Sequence, residues 1–284
     1  MLNRSAWILF LLSANAHAFN MAYVEVNANR FENAGCYIQS DNQRPFFAAA
    51  SIFAANVAGD SPNAPEIFLN EQVQQILQST QVKNLQKKGM KVLLSVLGNH
   101  QNAGWSCVTD PAAAKRFAGD IVQLVKKYNL DGIDIDDEYS RCLPNNYSMI
   151  MIAEAIKADP EFKGKLLTKA LYHDVGYFAA SYNGHKLSEY LDYGWEMSYS
   201  YSDLMGRIKP YLQNGMPIER LMIGGVSGNP YPDPYEIGKF TTQHQLAGLM
   251  VYDVTMNSEA YLSQLQMGAN GSHEKVEVIP DCLG

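Results

Sequence analysis

Three acidic residues at alternate positions, Asp134, Asp136 and Glu138, form the segment of this chain best suited to chemistry. Side chains of a β-strand point alternately to opposite faces, so the three carboxyl groups would share one face of a strand, with Cα atoms about 6.6 Å apart. The other face would carry Ile133 and Ile135, which favour an apolar layer. A row of carboxyl groups is costly to bury unless some stay protonated or bind something. We therefore expect a chemical role for this strand.

Two other interpretations of the acidic row are weaker. A calcium loop of the EF-hand type needs a glycine at its sharp turn, where this chain has Tyr139. An exposed acidic edge strand would not need the isoleucines of the opposite face. His100, which follows the third predicted strand, has no second His or Cys at metal-ligand spacing. We expect neither a metal ion nor a cofactor.

The segments that must position this row alternate between strand-like and helix-like patterns. Eight strands with intervening helices in about 250 residues are typical of a (β/α)8 TIM barrel, an α/β fold. A doubly wound sheet is the alternative, but no glycine-rich phosphate loop supports it. The predicted strands span residues 22–26, 47–54, 91–97, 132–136, 166–172, 193–198, 221–225 and 248–252, and the clearest helices span 71–88, 112–128, 147–158, 233–244 and 258–267. Active sites of such barrels form at the C-terminal ends of the strands, and Glu138 follows the fourth.

The composition indicates one large globular domain. The chain has 284 residues, of which 47% are hydrophobic and 18% charged, enough for a substantial core. Its 29 Asp and Glu against 22 Lys and Arg give a formal charge of −7. Because the basic residues do not cluster, a nucleic-acid partner is not expected.

The N-terminus has the pattern of a signal peptide. Arg4 precedes a short apolar run at residues 6–12, and Ala16-His17-Ala18 supplies the small-residue cleavage pattern. The run is shorter than the roughly 20 residues that span a membrane. We expect residues 1–18 to be removed and residues 19–284 to form a single catalytic domain. The product would be a monomer without a membrane span, secreted or periplasmic.

Four cysteines could form two disulfides in an exported protein, with three possible connectivities. Cys107 follows the third predicted strand and Cys142 the fourth, so their loops would be adjacent on one face of a barrel. We therefore favour the pair Cys107–Cys142, which leaves Cys36–Cys282. The alternative is four reduced, buried thiols.

Residues 131–138, Asp-Gly-Ile-Asp-Ile-Asp-Asp-Glu, match the signature of glycoside hydrolase family eighteen. Within that family the chain resembles the secreted bacterial endo-β-N-acetylglucosaminidases of the endoglycosidase H and F type. Segments 23–27, 52–56, 92–101 and 136–139 carry the resemblance. It weakens after Tyr139, since the segment 193–199 keeps its aromatic residues but has Glu196 where that branch has asparagine, and the segment 249–254 also departs.

The resemblance implies a retaining hydrolysis assisted by the substrate. Glu138 would be the general acid, which protonates the leaving oxygen and later acts as base toward water. The substrate's own acetamide oxygen would attack C1 and form an oxazolinium ion. Asp136 would hold the acetamide N–H and stabilise the developing positive charge. Asp134 could share a proton with Asp136, and Tyr199 could donate a hydrogen bond to the acetamide oxygen.

Aromatic and amide side chains at the predicted strand ends are candidates for substrate binding, because flat rings suit the apolar faces of pyranoses. Packing within the barrel is the alternative for the aromatic residues. The candidates are Asn99, Trp105, Tyr139, Trp195 and Tyr252, of which Trp195 and Tyr252 are favoured. Asp131 and Asp137 lie on the isoleucine face of the strand and are predicted to be structural.

The resemblance implies a glycosidase that acts on β-linked N-acetylglucosamine. The resemblance implies cleavage of the GlcNAc-β-1,4-GlcNAc bond in the chitobiose core of N-glycans, with an N-glycoprotein as substrate. A chitinase is the second interpretation. A non-catalytic sugar-binding lectin is the third, and the presence of both Asp136 and Glu138 argues against it.

Overall fold

Eight parallel strands close into a barrel at the centre of the computed structural model, which describes residues 18–271 and 273–284. Each strand pairs in parallel with the next, and the last pairs with the first. The strands are β1 (Met21–Glu25), β2 (Ala49–Ala58), β3 (Lys91–Gly98), β4 (Gly132–Asp136), β5 (Leu166–Leu171), β6 (Tyr193–Glu196), β7 (Leu221–Val226) and β8 (Gly248–Tyr252). The predicted (β/α)8 barrel is confirmed.

Helices surround the barrel. They are α1 (Glu71–Gln78), α2 (Gln81–Lys87), α3 (Pro111–Lys127), α4 (Ser148–Ala158), α5 (Val175–Ala179), α6 (Leu187–Tyr190), α7 (Leu204–Gln213), α8 (Pro234–Gln243) and α9 (Glu259–Asn270). The prediction of one helix over 71–88 was wrong, because the helix is interrupted at Ser79 and two helices form instead. The Ser79 hydroxyl donates to the carbonyl of Ile76, a local bond that competes with continuation of the helix.

Short elements complete the chain. Residues Glu66–Phe68 pair antiparallel with the end of β2, and Tyr37–Gln39 pair antiparallel with Val276–Val278. Among the described residues, none of the helices combines the length and apolar character needed to cross a bilayer. The predicted signal peptide lies outside the described residues except for Ala18.

The alternation of side chains along β4 sorts the segment between two environments. Ile133 and Ile135 are fully buried in the large core between barrel and helices, where each contributes roughly 1.5–3 kcal/mol. Asp134 and Asp136 face the opposite way, and Asp134 hydrogen-bonds residues of other barrel strands. The apolar face thus fixes the strand, and the acidic face is turned into the barrel.

Both favoured disulfides are present. Cys107–Cys142 joins the loops after β3 and β4, and Cys36–Cys282 joins positions 246 residues apart. The alternative of four reduced thiols is therefore wrong.

Candidate active site

A cavity of about 220 Å³ opens at the C-terminal end of the barrel strands. Side chains from six of the eight strands or their following loops line it: Tyr23, Phe53, Leu97, Asp136, Glu138, Tyr139, Met197, Tyr199 and Tyr252. Acids and aromatic rings that are far apart in the sequence thus share one cleft, as the topology of a barrel requires.

Asp134 lies at the base of the acidic row and is fully buried. Its carboxyl group accepts hydrogen bonds from Tyr23, from Ser95 at 3.0 Å and from Thr168 at 2.8 Å. Burial raises the pKa of Asp134 to about 6, although the three hydrogen bonds oppose that shift. The donors come from β1, β3 and β5, so this carboxyl group links three strands of the barrel.

Asp136 lies one step higher in the row and lines the cavity. Its Oδ1 is buried and has no hydrogen-bond partner within the part of the chain that the structure describes. Burial, and then the negative charges of Glu138 and Asp134, raise the pKa of Asp136 well above its ordinary value. A buried acceptor without a partner is costly, so this oxygen is suited to a donor supplied by a ligand.

Glu138 follows β4 and is partly buried beside the cavity. Burial raises the pKa of its carboxyl group, which favours the neutral form that an acid catalyst needs. Gly98 at the end of β3 allows this position, because a Cβ there would collide with the backbone carbonyl of Glu138. The next residue, Tyr139, has φ of 60°, a left-handed conformation that a non-glycine residue adopts at a cost.

Aromatic rings form much of the remaining lining of the cavity. Tyr199 and Tyr252 stack with ring centroids 6.1 Å apart, and Tyr252 also meets Phe53 edge to face at 5.6 Å. Burial raises the pKa of Tyr199 well above its ordinary value, so its hydroxyl remains a hydrogen-bond donor. Tyr139 is 57% exposed at the rim. Of the predicted substrate-binding residues, Tyr139 and Tyr252 lie here.

The expectation that Trp105 and Trp195 contact the sugar is contradicted by the structure, since neither residue lines the cavity. Both are fully buried. Trp105 packs against Phe117 of α3 and donates its Nε1–H to the carbonyl of Val96 at 2.7 Å. Trp195 lies in the barrel interior and packs edge to face against Tyr23. A ring without exposed surface cannot stack on a pyranose in this structure, so the packing alternative holds.

Asn99, the last predicted substrate-binding residue, is partly buried in the loop after β3 and does not line the cavity. Asp131 is structural as predicted: its carboxylate accepts the backbone N–H of Val92 at 3.0 Å and pairs with Lys91 at 3.1 Å. Asp137 lies in the loop after β4 and accepts a hydrogen bond from Ser106 at 3.1 Å, which agrees with the predicted structural role. The prediction that it faces away from the acidic row was wrong, because it lines a cavity together with Asp136 and Glu138.

Glu196, where the chain departs from the endoglycosidase branch, is fully buried and forms an ion pair with Arg207. The guanidinium of Arg207 lies 5.3 Å from the ring centroid of Tyr172 and 4.4 Å from that of Tyr201. Cation–π contacts of this kind reduce the cost of burying the charge. Through this ion pair, the glutamate at position 196 connects β6 to α7 at the active-site end of the barrel.

Tyr23, Phe53, Met197 and Lys169 lie in or beside the site and were not predicted as functional residues. Tyr23 and Phe53 fall within the segments that carry the family resemblance, a signal that could have identified them. Lys169 lines a second cavity of about 220 Å³ together with Asp136 and Glu138. No group of three or more His, Cys, Asp or Glu side chains suited to a metal ion occurs within residues 18–271 and 273–284.

Comparison with known proteins assigns the chain to a family. The model of the family "Glycosyl hydrolases family 18" matches residues 10–226. An endo-β-N-acetylglucosaminidase of Flavobacterium sp. (strain SK1022) is 40% identical over 190 residues, which cover 63% of this chain and 58% of that protein. Endo-β-N-acetylglucosaminidase F1 of Elizabethkingia meningoseptica is 32% identical over 194 residues, which cover 63% of this chain and 55% of that protein. The match thus spans little more than half the length of these relatives.

A solved structure of EndoBT-3987 from Bacteroides thetaiotamicron with Man5GlcNAc product superposes with a TM-score of 0.73. It covers 92% of this chain and 62% of that one, at 21% identity, and supports the fold. The family match extends from before β1 through β7 and includes the whole acidic row. This chain belongs to family 18 of the glycosyl hydrolases.

Proposed function

We propose that this protein is an endo-β-N-acetylglucosaminidase that hydrolyses the GlcNAc-β-1,4-GlcNAc bond in the chitobiose core of N-glycans. The observation that carries the proposal is the cavity in which Asp136, Glu138 and Tyr199 converge. The names of the two relatives support this choice of substrate.

Each of the three residues has a role in this reaction. Glu138 donates its proton to the glycosidic oxygen as the C1–O bond breaks. The acetamide oxygen of the N-acetylglucosamine that carries C1 bonds to that carbon. The unpartnered Oδ1 of Asp136 accepts the acetamide N–H and opposes the positive charge of the oxazolinium ion. Tyr199 donates to the acetamide oxygen. Glu138 then takes a proton from water, whose oxygen attacks C1 from the side of the departed sugar. The bond between C1 and the acetamide oxygen breaks and the acetamide is restored, so the β configuration is retained.

The remaining lining residues suit the body of the sugar. Tyr252, Phe53 and Tyr139 offer ring faces and edges to the apolar C–H surface of a pyranose. Asp134 lies too deep to contact the sugar and acts by holding the base of the row. We also propose that the protein is exported, since its two disulfides are of the kind that persist in oxidising compartments.

Mass spectrometry of two substrates tests the proposal. Purified protein is incubated with a high-mannose glycoprotein and, in parallel, with a chitin oligomer. We expect release of the glycan and a single N-acetylglucosamine left on asparagine. Cleavage of chitin oligomers alone would make the protein a chitinase with the same residue roles. Cleavage of neither, with binding retained, would favour the lectin.

A further inference from the structure

Lys169 is a buried cation that the proposed reaction does not use. Only 2% of its side chain is exposed, and its Nζ donates to the carbonyl of Ala170 at 2.8 Å. The same Nζ lies 2.5 Å from Oδ2 of Asp174. Lysine is almost never buried to this degree unless it is paired, because removing its charge from water is costly. The position therefore serves a purpose that an apolar residue would not.

Residues of two loops at the active-site end surround the cavity that Lys169 lines. Asp174, in the loop after β5, accepts a hydrogen bond from the hydroxyl of Tyr211 at 2.6 Å. Asp137, in the loop after β4, is held by Ser106 at 3.1 Å. Lys169, Asp137 and Asp174 line one cavity together with Glu138. Because Asp137 directly precedes Glu138, whatever fixes Asp137 also fixes the backbone of the proposed acid.

The charge of Lys169 reaches the whole acidic row. Burial raises the pKa of Glu138, and the positive charge of Lys169 opposes that shift. At Asp136, burial and the charges of Glu138 and Asp134 raise the pKa, and Lys169 again lowers it. Burial alone would lower the pKa of Lys169, but Asp174 and Asp137 outweigh burial, so the pKa is raised and the ammonium stays charged.

Other titratable groups face the same region. Glu196 of β6 is paired with Arg207. The phenols around the cluster are Tyr139, Tyr172, Tyr177, Tyr199 and Tyr211, and the pKa of each is raised, so they remain neutral. Within the described part of the chain, Lys169 is thus a buried cation that opposes the negative charge of the row.

We infer that Lys169 is a positioning residue, whose buried ammonium group, held by Asp174 in the cavity that Asp136 and Glu138 also line, keeps Asp136 anionic beside a protonated Glu138. This inference rests on the proposed function, because it assigns a purpose to Lys169 through the acid Glu138. The reaction needs an anionic Asp136 beside a protonated Glu138, and one nearby positive charge stabilises that state over the doubly protonated one.

The test is the pH profile of kcat/KM for Lys169→Met, which keeps the length of the side chain and removes its charge. Both limbs of the profile should move to higher pH by at least about half a unit, and the maximum rate should fall by about tenfold or more. Lys169→Arg should restore the wild-type pH limbs. Lys157→Met is the matched control, since Lys157 pairs with Asp192 at the same 2.5 Å near the start of β5. It should leave both limbs in place.

A readout independent of activity separates this inference from the proposed function. Carbon-13 NMR of labelled glutamate, with the Glu138 signal assigned by its loss in Glu138→Gln, should show a higher titration midpoint in Lys169→Met. If Lys169→Met does not fold, Lys169→Gln replaces it; its amide can still donate to the carbonyl of Ala170 but carries no charge, so the Glu138 midpoint should again move upward. An unmoved midpoint and unmoved limbs would overturn the inference. Failure of the wild type to cleave either substrate would overturn the proposed function and leave the NMR result to decide on Lys169.

Discussion

The indole Nε1–H of Trp195 donates a hydrogen bond to the hydroxyl of Tyr23, 2.6 Å away, and that hydroxyl in turn donates to Asp134. The three residues come from β6, β1 and β4. Directly beneath the cavity, this relay fixes the lowest carboxyl group of the acidic row. It also explains why the tryptophan is buried below the site, since its only polar side-chain atom is already satisfied inside the barrel.

Removing the hydroxyl of Tyr23, the middle residue of this relay, should destabilise the folded protein. Tyr23→Phe leaves Trp195 Nε1 without an acceptor and takes one of three donors from Asp134. A buried group left unsatisfied costs about 1–3 kcal/mol, so the free energy of unfolding in urea should fall by that amount. Tyr147→Phe, at an exposed tyrosine just before α4, is the control and should change it by less than about 0.5 kcal/mol. An unchanged unfolding midpoint in Tyr23→Phe would contradict the relay.

The proposed acid can be tested by an isosteric change. Glu138→Gln keeps the size of the side chain but removes its proton, so kcat should fall by about 10²-fold or more. Glu161→Gln, an exposed glutamate of the short helix Pro160–Phe162, should retain wild-type turnover. Thermal unfolding of both variants should match that of the wild type. Near-normal turnover by folded Glu138→Gln would remove this residue from the mechanism.

Assistance by the substrate predicts a particular inhibitor. A thiazoline that mimics the bicyclic intermediate should inhibit competitively and bind more tightly than substrate, because it resembles the species the site stabilises. Asp136→Asn should weaken that binding, whereas the exposed Asp120→Asn should leave it unchanged. The product should carry the β configuration at early times by NMR. A covalent sugar ester on Asp136 or Glu138, or an α product, would disprove the mechanism.

Stability should decrease as pH rises from about 4 through 6. The pKa of Asp134 is about 6 in the folded protein against 3.8 ordinarily, so the folded state favours the protonated form. Its contribution is complete below about pH 4 and is lost as pH rises through 6, a loss on the order of 3 kcal/mol. The raised pKa values of Asp136 and Glu138 act in the same direction. Urea unfolding at pH 4 and 7 measures this, and greater stability at pH 7 would contradict it.

The buried ion pair between Glu196 of β6 and Arg207 of α7 predicts that removal of one of the two charges strongly destabilises the protein. Arg207→Leu would leave Glu196 buried without its partner, which costs about 3–5 kcal/mol of unfolding free energy. Lys126→Leu breaks the exposed pair with Glu161 and should cost less than about 1 kcal/mol. If Arg207→Leu is paired with Glu196→Leu, most of the loss should be recovered. Equal losses of unfolding free energy in Arg207→Leu and Lys126→Leu would show that the buried pair contributes no more to stability than the exposed one.

The period-two pattern of residues 133–138 by itself determined the direction of every side chain on β4. Alternation is a local property of an extended chain, and a hydrophobic face leaves only one register in which Ile133 and Ile135 are buried. The eight strands, the barrel and the place of Glu138 at a strand end follow from the same kind of local pattern. Ser79 ended a predicted helix because a hydroxyl bond within one turn competed with the helical one.

Only the closed barrel decided which distant residues meet. Tyr23 reaches Asp134 across 111 positions, and Trp195 reaches Tyr23 across 172. Composition cannot show whether an aromatic ring at a strand end faces the cavity, as Tyr252 does, or the packed interior, as Trp195 does. The sequence likewise gives no signal that Lys169 is buried, because no neighbouring pattern distinguishes it from the other lysines. Its role depends on burial beside carboxyl groups from two loops, and burial is set by tertiary packing rather than by neighbours along the chain.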